Sequence, residues 1–340
     1  MDTGAPCTLL QGVRGRLSAT LVVGSSAAAG LAAGLLIGRR CRKAVSDADG
    51  VGEASSTVAG QYVVRSALGL GAPDERVHVA QGPGMLMDTN KAPPRPVHYL
   101  LRPRTDPRLD KSLYVRYDPP LDRKTGAIVI VIPGGNYDES DIWGGEGQPV
   151  ALWLATLGIT AVVLQYRCVS QGHHWPAQYD DFLECAEAVS SEAKHWQCDG
   201  DKLGVIGFSA GGHLASYAAL KSNSNARPKL QILVYPATDT SSPHEGGDIE
   251  PWHASSGYPP VEDSPNLLVD GDAPPTFLVG VVGDTYCPPA ENTDVFAEAL
   301  KKQGVPHVYV TNGPDGAKDE HGCGLQDWWT RPCADWLRTL

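Results

Sequence analysis

The sequence predicts an α/β domain in which a doubly wound, mainly parallel sheet carries helices on both faces. From residue 113 onward, short apolar runs recur, and most lack the alternation of a half-exposed strand, as in strands that are buried on both faces. Helix-length segments separate most of these runs, and strands that alternate with helices form parallel sheets. The 340 residues contain no internal repeat, so one domain accounts for this region.

The predicted elements follow in chain order. Strands are expected at residues 113–117, 127–132, 160–165, 203–206, 230–234, 276–282 and 307–311. Helices are expected at residues 148–157, 178–196, 211–221 and 292–303, and from residue 327 to the end of the chain. We expect a break at Pro332 in the last helix, because proline lacks the N–H that continues a helical ladder.

The turn after the strand at residues 203–206 carries the most specific motif. It reads Gly-Phe-Ser-Ala-Gly-Gly-His over residues 207–213, a G-x-S-x-G nucleophile elbow centred on Ser209. Such a strained turn exposes the serine hydroxyl and directs the following N–H groups toward an oxyanion. Taken alone, the motif also fits an ordinary Gly/Ser turn, so the rest of the chain must decide.

A nucleophilic serine needs a base and a carboxylate that orients the base. Asp284 follows the apolar run that ends at residue 282, and His321 lies in the loop after the last predicted strand. These residues arrive in the order serine, acid, histidine that accompanies a nucleophile elbow. We therefore predict Ser209, Asp284 and His321 as catalytic residues, whereas His213 on the elbow helix is expected to serve packing.

The loop after the strand at residues 127–132 reads Pro-Gly-Gly-Asn-Tyr and can bring N–H groups close to a substrate. We predict an oxyanion hole made of Gly134, Gly135, Asn136 and Ala210. Neither G-x-G-x-x-G nor a P-loop motif is present, so these glycines are not expected to bind a nucleotide. No metal-ligand spacing such as H-E-x-x-H occurs, and we expect neither a metal nor a cofactor.

Several motifs occur together in a specific order. They are Pro-Gly-Gly-Asn-Tyr at 133–137, Tyr166-Arg167, the elbow at 207–213, and Glu-His-Gly-Cys-Gly-Leu at 320–325, with shorter matches at Glu146-Gly147, Trp175-Pro176, Asp181, Arg227-Pro228, Tyr235-Pro236 and 274–278. Over residues 114–340 the chain thereby resembles the α/β-hydrolase esterases of the acetylxylan-esterase and feruloyl-esterase-like branch. The resemblance implies the α/β-hydrolase fold, the Ser209, Asp284 and His321 triad, and hydrolysis of short acyl esters, often acetyl groups on sugars. The expected partner is a small-molecule ester, with acylated carbohydrates as candidates.

The chain departs from the family's pattern at two places. Asn136 stands where the family has the third glycine of P-G-G-G-Y, and the acid loop reads D-T-Y-C-P-P where the family has D-D-x-x-V-P. Asn136 retains its N–H and one aspartate suffices for a triad, so we expect activity to survive. The shape of the substrate site near Asn136 is expected to differ.

The candidate substrate contacts are Tyr137 and Trp175. Trp175, Trp252 and Tyr258 could stack on a sugar or an aromatic acyl group, or could only cap the core. Arg167 could contact the substrate, but a buried arginine that ties loops together is the favoured interpretation.

Two other functions remain open from the sequence. An amidase or exopeptidase would use the same acyl-transfer groups, and a non-catalytic binding module could retain the hydrolase fold. The presence of all three triad residues favours an esterase over a binding module.

Residues 1–43 are expected to form a membrane anchor or an organelle-targeting segment. Residues 17–38 are uncharged and long enough to span a bilayer, and a basic cluster follows at 39–43. As an anchor, this segment would leave the catalytic part on the cytoplasmic side. The Arg-, Ser- and Ala-rich, acid-poor composition also fits an organelle transit peptide and, less well, a cleaved secretory signal.

Residues 44–95 are a linker or extension without an indicated role, and residues 96–340 form the predicted catalytic domain.

The charge pattern argues against a nucleic-acid partner. The net charge of −11 comes from scattered acidic residues, and no basic stripe is present. The eight cysteines are widely spaced without C-x-x-C, which is typical of free thiols in a reducing compartment, although one or two bridges remain open.

Overall fold

The computed structural model describes residues 97–100, 113–223, 226–242, 250–312 and 320–340. The predicted targeting segment at residues 1–43 and the extension at residues 44–95 lie outside these residues. Among the helices that are described, none has the length and apolar character needed to cross a membrane.

An eight-stranded sheet forms the centre of the described region, in the order β1-β2-β4-β3-β5-β6-β7-β8. The strands are β1 Val97–Leu100, β2 Leu113–Tyr117, β3 Ile128–Ile132, β4 Thr160–Gln165, β5 Leu203–Phe208, β6 Gln231–Val234, β7 Thr276–Gly280 and β8 His307–Thr311. All pairs among β3 to β8 are parallel, whereas β2 pairs antiparallel with both β1 and β4. The predicted mainly parallel sheet is therefore confirmed. Strand β1 was not predicted.

Helices cover both faces of this sheet. They are α1 Gln148–Thr156, α2 Ala177–Glu192, α3 Ser209–Lys221, α4 Pro265–Leu268, α5 Thr293–Lys302 and α6 Asp327–Leu337. Alternate residues of β3 point to opposite faces, as strand geometry requires. Ile130 packs in one core with α2, α3 and α5, and Val131 packs in the other with α1 and α6.

The expected break in the last helix is wrong, because α6 continues through Pro332. The flanking turns of α6 bury Trp329, Cys333 and Ala334 against the sheet. Burial of this face stabilises the helix despite the hydrogen bond that proline removes, since tertiary packing supplies most helical stability in proteins. The short helix α4 was also missed.

Close backbone packing holds the start of α3 against the sheet. A Cβ at Gly207 would overlap the carbonyl oxygen of Gly211 and would lie 2.6 Å from Cβ of Ala215. A Cβ at Gly211 would overlap the carbonyl oxygens of Ile132 and Pro133 at the end of β3. Only glycine fits at these two positions, so the elbow spacing follows from the contact between β5, α3 and β3.

Gly207→Ala is expected to destabilise the fold by about 3 kcal/mol, because the added methyl group must displace backbone atoms. The matched control is Gly271→Ala, since Gly271 is exposed and a Cβ there would meet only one atom, at 4.0 Å. Denaturant unfolding of the two variants measures the difference. Equal stability of both variants would contradict the packing described for the elbow.

Candidate active site

Ser209 lies at the junction of β5 and α3 in a left-handed backbone conformation, with φ of 51°. This conformation costs free energy for a residue other than glycine and is typical of functional positions. The turn lifts the serine side chain above the carboxyl edge of the sheet, where loops of parallel α/β sheets bind their ligands.

His321 and Asp284 extend a hydrogen-bond chain from this serine. Nε2 of His321 lies 2.8 Å from Oγ of Ser209, and Nδ1 of His321 lies 2.7 Å from Oδ2 of Asp284. Because the carboxylate can only accept, Nδ1–H donates to Asp284 and the Nε2 lone pair is free to accept the serine proton. The structure thus brings together all three predicted residues in the order that acyl transfer needs.

Both ends of His321 are held by the surrounding loops. The side chain of Asp284 is fully buried, and its Oδ1 accepts the N–H groups of Tyr286 and Cys287 at 2.8 and 2.9 Å. The ring of Tyr286 stacks on the ring of His321, with their centroids 5.1 Å apart. The ring of Tyr235 packs against His321 in a tilted arrangement, with a centroid distance of 5.0 Å. These contacts restrict the imidazole to one orientation.

The predicted oxyanion loop follows β3, but its first glycine is occupied. The N–H of Gly134 donates to Oε2 of Glu146 at 2.8 Å and is not available to an oxyanion in this structure. Within the described part of the chain, the N–H groups of Gly135 and Asn136 have no acceptor. The N–H of Ala210 belongs to the first turn of α3, where no intrahelical acceptor exists.

Asn136 uses its side chain to join two loops. Its Oδ1 accepts the indole N–H of Trp252 at 2.7 Å, and its Nδ2 donates to Asp138 at 3.1 Å. Asn136 adopts φ of 53°, a conformation that asparagine tolerates better than most residues. The departure from the family's third glycine therefore preserves the backbone conformation and adds a contact to Trp252, which is 3% exposed.

Tyr137 and Trp175, the two predicted substrate contacts, lie in a cluster of aromatic rings. Tyr137 is 1% exposed, and its hydroxyl bonds to Nδ1 of His213 at 2.8 Å. Trp175 is half-buried, and its indole N–H donates to Asp263 at 2.7 Å. Their rings lie 5.8 Å apart. The polar atoms of both residues are thus hydrogen-bonded within the protein.

His213 is fully buried in the same cluster, in agreement with its predicted packing role. Burial lowers the pKa of His213 to about 3, so the ring is neutral at ordinary pH. Its Nε2 lies 3.1 Å from the carbonyl oxygen of Asp263, which can only accept. Nε2 therefore carries the proton, and Nδ1 accepts from Tyr137.

The depressed pKa of His213 predicts acid sensitivity. The unfolded chain protonates this residue near pH 6.5, whereas the folded protein resists protonation until about pH 3. The neutral His213 therefore contributes to the free energy of unfolding above pH 6.5, and this contribution is lost as the pH falls from 6.5 toward 3. Between pH 6 and pH 4, the unfolding free energy of the parent should fall by about 1.4 kcal/mol per pH unit more than that of His213→Gln. Urea unfolding at several pH values measures both slopes, and parallel slopes would contradict this role.

Arg167 joins the loop after β4 to the start of α2, whereas the sequence favoured a buried arginine that ties loops together. Its guanidinium bonds to Asp181 through Nε and Nη2 at 2.9 Å, and Nη2 also donates to the carbonyl of Ala177 at 3.1 Å. The Asp181 side chain is fully buried. The guanidinium is thus paired within the protein, as expected of an arginine with a structural role.

Glu146, Tyr166 and Tyr235 contact the site but received no role from the sequence analysis. The hydroxyl of Tyr166 lies 3.0 and 3.1 Å from the carbonyl oxygens of Pro133 and Gly134. The Tyr235 hydroxyl contacts Glu146 at 2.8 Å. The sequence marked these residues only as matches to the family pattern, because no local signal shows which distant backbone group a side chain reaches.

The described residues hold no group of three or more His, Cys, Asp or Glu side chains that could bind a metal ion. The six cysteines in the described part of the chain are all free thiols. Cys7 and Cys41 lie outside it.

The comparisons with known proteins identify the fold family of this chain. The alpha/beta hydrolase fold family matches residues 149–313. An acetyl ester-xyloside bifunctional hydrolase from Caldicellulosiruptor lactoaceticus superposes with a TM-score of 0.61 and 30% identity, over 72% of this chain and 97% of that structure. The chain belongs to the α/β-hydrolase family.

Several curated relatives of this α/β-hydrolase are named as esterases or ester hydrolases. An acetylxylan esterase of Xylanibacter ruminicola is 25% identical over 64% of this chain and 47% of the relative. An ethyl acetate hydrolase of Pseudomonas putida is 29% identical over 37% of this chain and 40% of the relative. This chain therefore spans less than half the length of either curated relative. The α/β-hydrolase lies in the esterase-type, acetylxylan-esterase-like branch that its motifs indicated.

Proposed function

We propose that this α/β-hydrolase is a serine carboxylesterase that cleaves short-chain, acetyl-type esters. The observation that carries the proposal is the continuous hydrogen-bond chain from Ser209 through His321 to Asp284, with distances of 2.8 and 2.7 Å. Such a chain activates a hydroxyl that is otherwise a weak nucleophile.

In the first half-reaction, Oγ of Ser209 attacks the acyl carbon while its proton passes to Nε2 of His321. The resulting imidazolium is stabilised by the buried Asp284 carboxylate. His321 then returns the proton to the departing alcohol, which leaves an acyl group on Ser209. Water, deprotonated by His321, attacks this acyl-enzyme and releases the acid.

The negative charge on the tetrahedral intermediate is stabilised by N–H donors. Ala210, Gly135 and Asn136 are the proposed donors, because their N–H groups lack other acceptors near Ser209 within the described part of the chain, whereas that of Gly134 is bonded to Glu146. Backbone donors held in place before the reaction need no reorganisation when the charge develops.

The acyl preference rests on the relatives. Proteins named acetylxylan esterase, ethyl acetate hydrolase and acetyl ester-xyloside bifunctional hydrolase share sequence or fold with this chain. We therefore propose a small acetyl ester as the substrate, with acetylated carbohydrates as the candidate class.

Ser209→Ala is expected to lower kcat on p-nitrophenyl acetate by at least about 10⁴-fold, because the nucleophile and the acyl-enzyme are lost. In the parent, turnover should fall as the acyl chain is lengthened from acetyl to decanoyl. Steady-state release of p-nitrophenol by the full chain measures both effects.

The control for this substitution is Ser191→Ala, which removes an exposed hydroxyl that bonds only to the carbonyl of Ala188 in the described region. Full turnover by Ser209→Ala would contradict the proposed nucleophile. Faster cleavage of the matched anilide than of the ester would favour an amidase instead.

A further inference from the structure

The Glu146 carboxylate bridges the oxyanion loop and the end of β6. Its Oε2 accepts the N–H of Gly134 at 2.8 Å, and its Oε1 accepts the hydroxyl of Tyr235, also at 2.8 Å. Both oxygens therefore bind donors from segments that are far apart in the chain. The residue lies in the loop that precedes α1.

Tyr235 continues this connection to the histidine loop. Its hydroxyl accepts the N–H of Gly324 at 3.0 Å while it donates to Glu146. Gly324 follows His321 in the same loop, and its carbonyl accepts the indole N–H of Trp329 on α6 at 3.0 Å. Tyr235 is 1% exposed, and its ring packs against His321. The buried hydroxyl thus links Glu146 to the loop that positions His321.

At the other end, Glu146 and Tyr166 hold the oxyanion loop from two directions. The carboxylate binds the N–H of Gly134, and the Tyr166 hydroxyl contacts the carbonyl of the same residue. Because a trans peptide is planar, holding the Gly134 carbonyl toward Tyr166 turns the N–H of Gly135 in the opposite direction. The direction of this proposed oxyanion donor is therefore set by the contact of Tyr166 with the Gly134 carbonyl, while Glu146 holds the N–H of the preceding peptide.

The position of Glu146 carries an electrostatic cost. A Cβ at Gly134 would lie 2.9 Å from both Oε2 of Glu146 and Cβ of Ser209, so the carboxylate lies close to the nucleophile. A negative charge there disfavours the oxyanion that forms during acyl transfer. Its two hydrogen bonds, each of 2.8 Å, offset this cost by fixing the geometry of the loop.

We propose that Glu146 is a positioning residue that, through Tyr235, holds the oxyanion loop in register with His321. This inference rests on the proposed esterase function. Glu146 acts on turnover and not on substrate affinity, because it orients groups that stabilise the transition state. Small displacements of such groups are costly, and misplacement by about 1 Å lowers rates by about 100-fold.

The test compares Glu146→Ala, Glu146→Gln, Tyr235→Phe and the double variant Glu146→Ala/Tyr235→Phe in the full chain. We expect kcat on p-nitrophenyl acetate to fall about 100-fold in Glu146→Ala and about 10-fold in Tyr235→Phe, with KM within about threefold of the parent. Glu146→Gln keeps one acceptor for Gly134 and should lie between Glu146→Ala and the parent. The double variant should be no slower than Glu146→Ala, because both changes break one connection.

A second measurement does not depend on turnover. The rate at which a fluorophosphonate labels Ser209 should fall in parallel with kcat, since labelling uses the same nucleophile and oxyanion donors. The control is Tyr309→Phe, which removes a hydroxyl bonded to Thr293 and Asp294. It should retain the labelling rate of the parent, and thermal melting checks that every variant is folded.

The outcomes separate this inference from the proposed function. If the parent is labelled and the folded Glu146 and Tyr235 variants are labelled equally fast, only the positioning role is overturned. The positioning role would also be overturned if the loss of kcat in the double variant equalled the product of the losses in the two single variants. A rise in KM without a fall in kcat would overturn it as well. If Ser209 of the parent is neither labelled nor active on esters, the proposed function and this inference both fall.

Discussion

The packing of the first turn of α3 against the end of β3 is the contact on which the site depends. Gly211 lies directly on the carbonyl oxygens of Ile132 and Pro133, and Gly207 lies on the carbonyl of Gly211. Any larger side chain would separate the helix from the sheet. Because the oxyanion loop starts at Pro133, the same contact brings that loop beside Ser209. Backbone packing thus places the nucleophile beside this loop.

Polar side chains then hold the irregular loops that this packing brings together. Loop backbone cannot pair within a sheet or helix, so its N–H and C=O groups need other partners. Glu146 and Tyr166 supply them around the oxyanion loop, and Tyr235 supplies one for the histidine loop. The site is therefore ordered by side-chain to backbone bonds between segments that are distant in sequence.

Much of this arrangement is predictable from the sequence. Ser209 was predicted because its conformation requires small neighbours within a few residues, which is a local signal. The acid and the histidine farther along the chain were needed to tell this motif from an ordinary Gly/Ser turn. Asp284 and His321 followed from chain order and from their positions after buried strands. The mainly parallel sheet followed from unalternated apolar runs.

The remaining features depend on contacts that have no local signature. The occupied N–H of Gly134 was missed because a carboxylate twelve residues away folds back onto it. The bond between Asn136 and Trp252 joins positions 116 residues apart. A break was expected at Pro332 within the last helix, but burial of its neighbours on α6 outweighs the lost hydrogen bond. At Pro332, tertiary packing thus overrides the local preference.

The most direct test of the account is a crystal structure of the full chain after reaction with a fluorophosphonate. The phosphonyl group mimics the tetrahedral intermediate, so its oxygen should occupy the position of the oxyanion. The account predicts a covalent bond to Ser209, with this oxygen within about 3 Å of the N–H groups of Ala210 and of Gly135 or Asn136. The N–H of Gly134 should remain on Glu146. Modification of another residue, or a Gly134 N–H that turns from Glu146 to the phosphonyl oxygen, would contradict it.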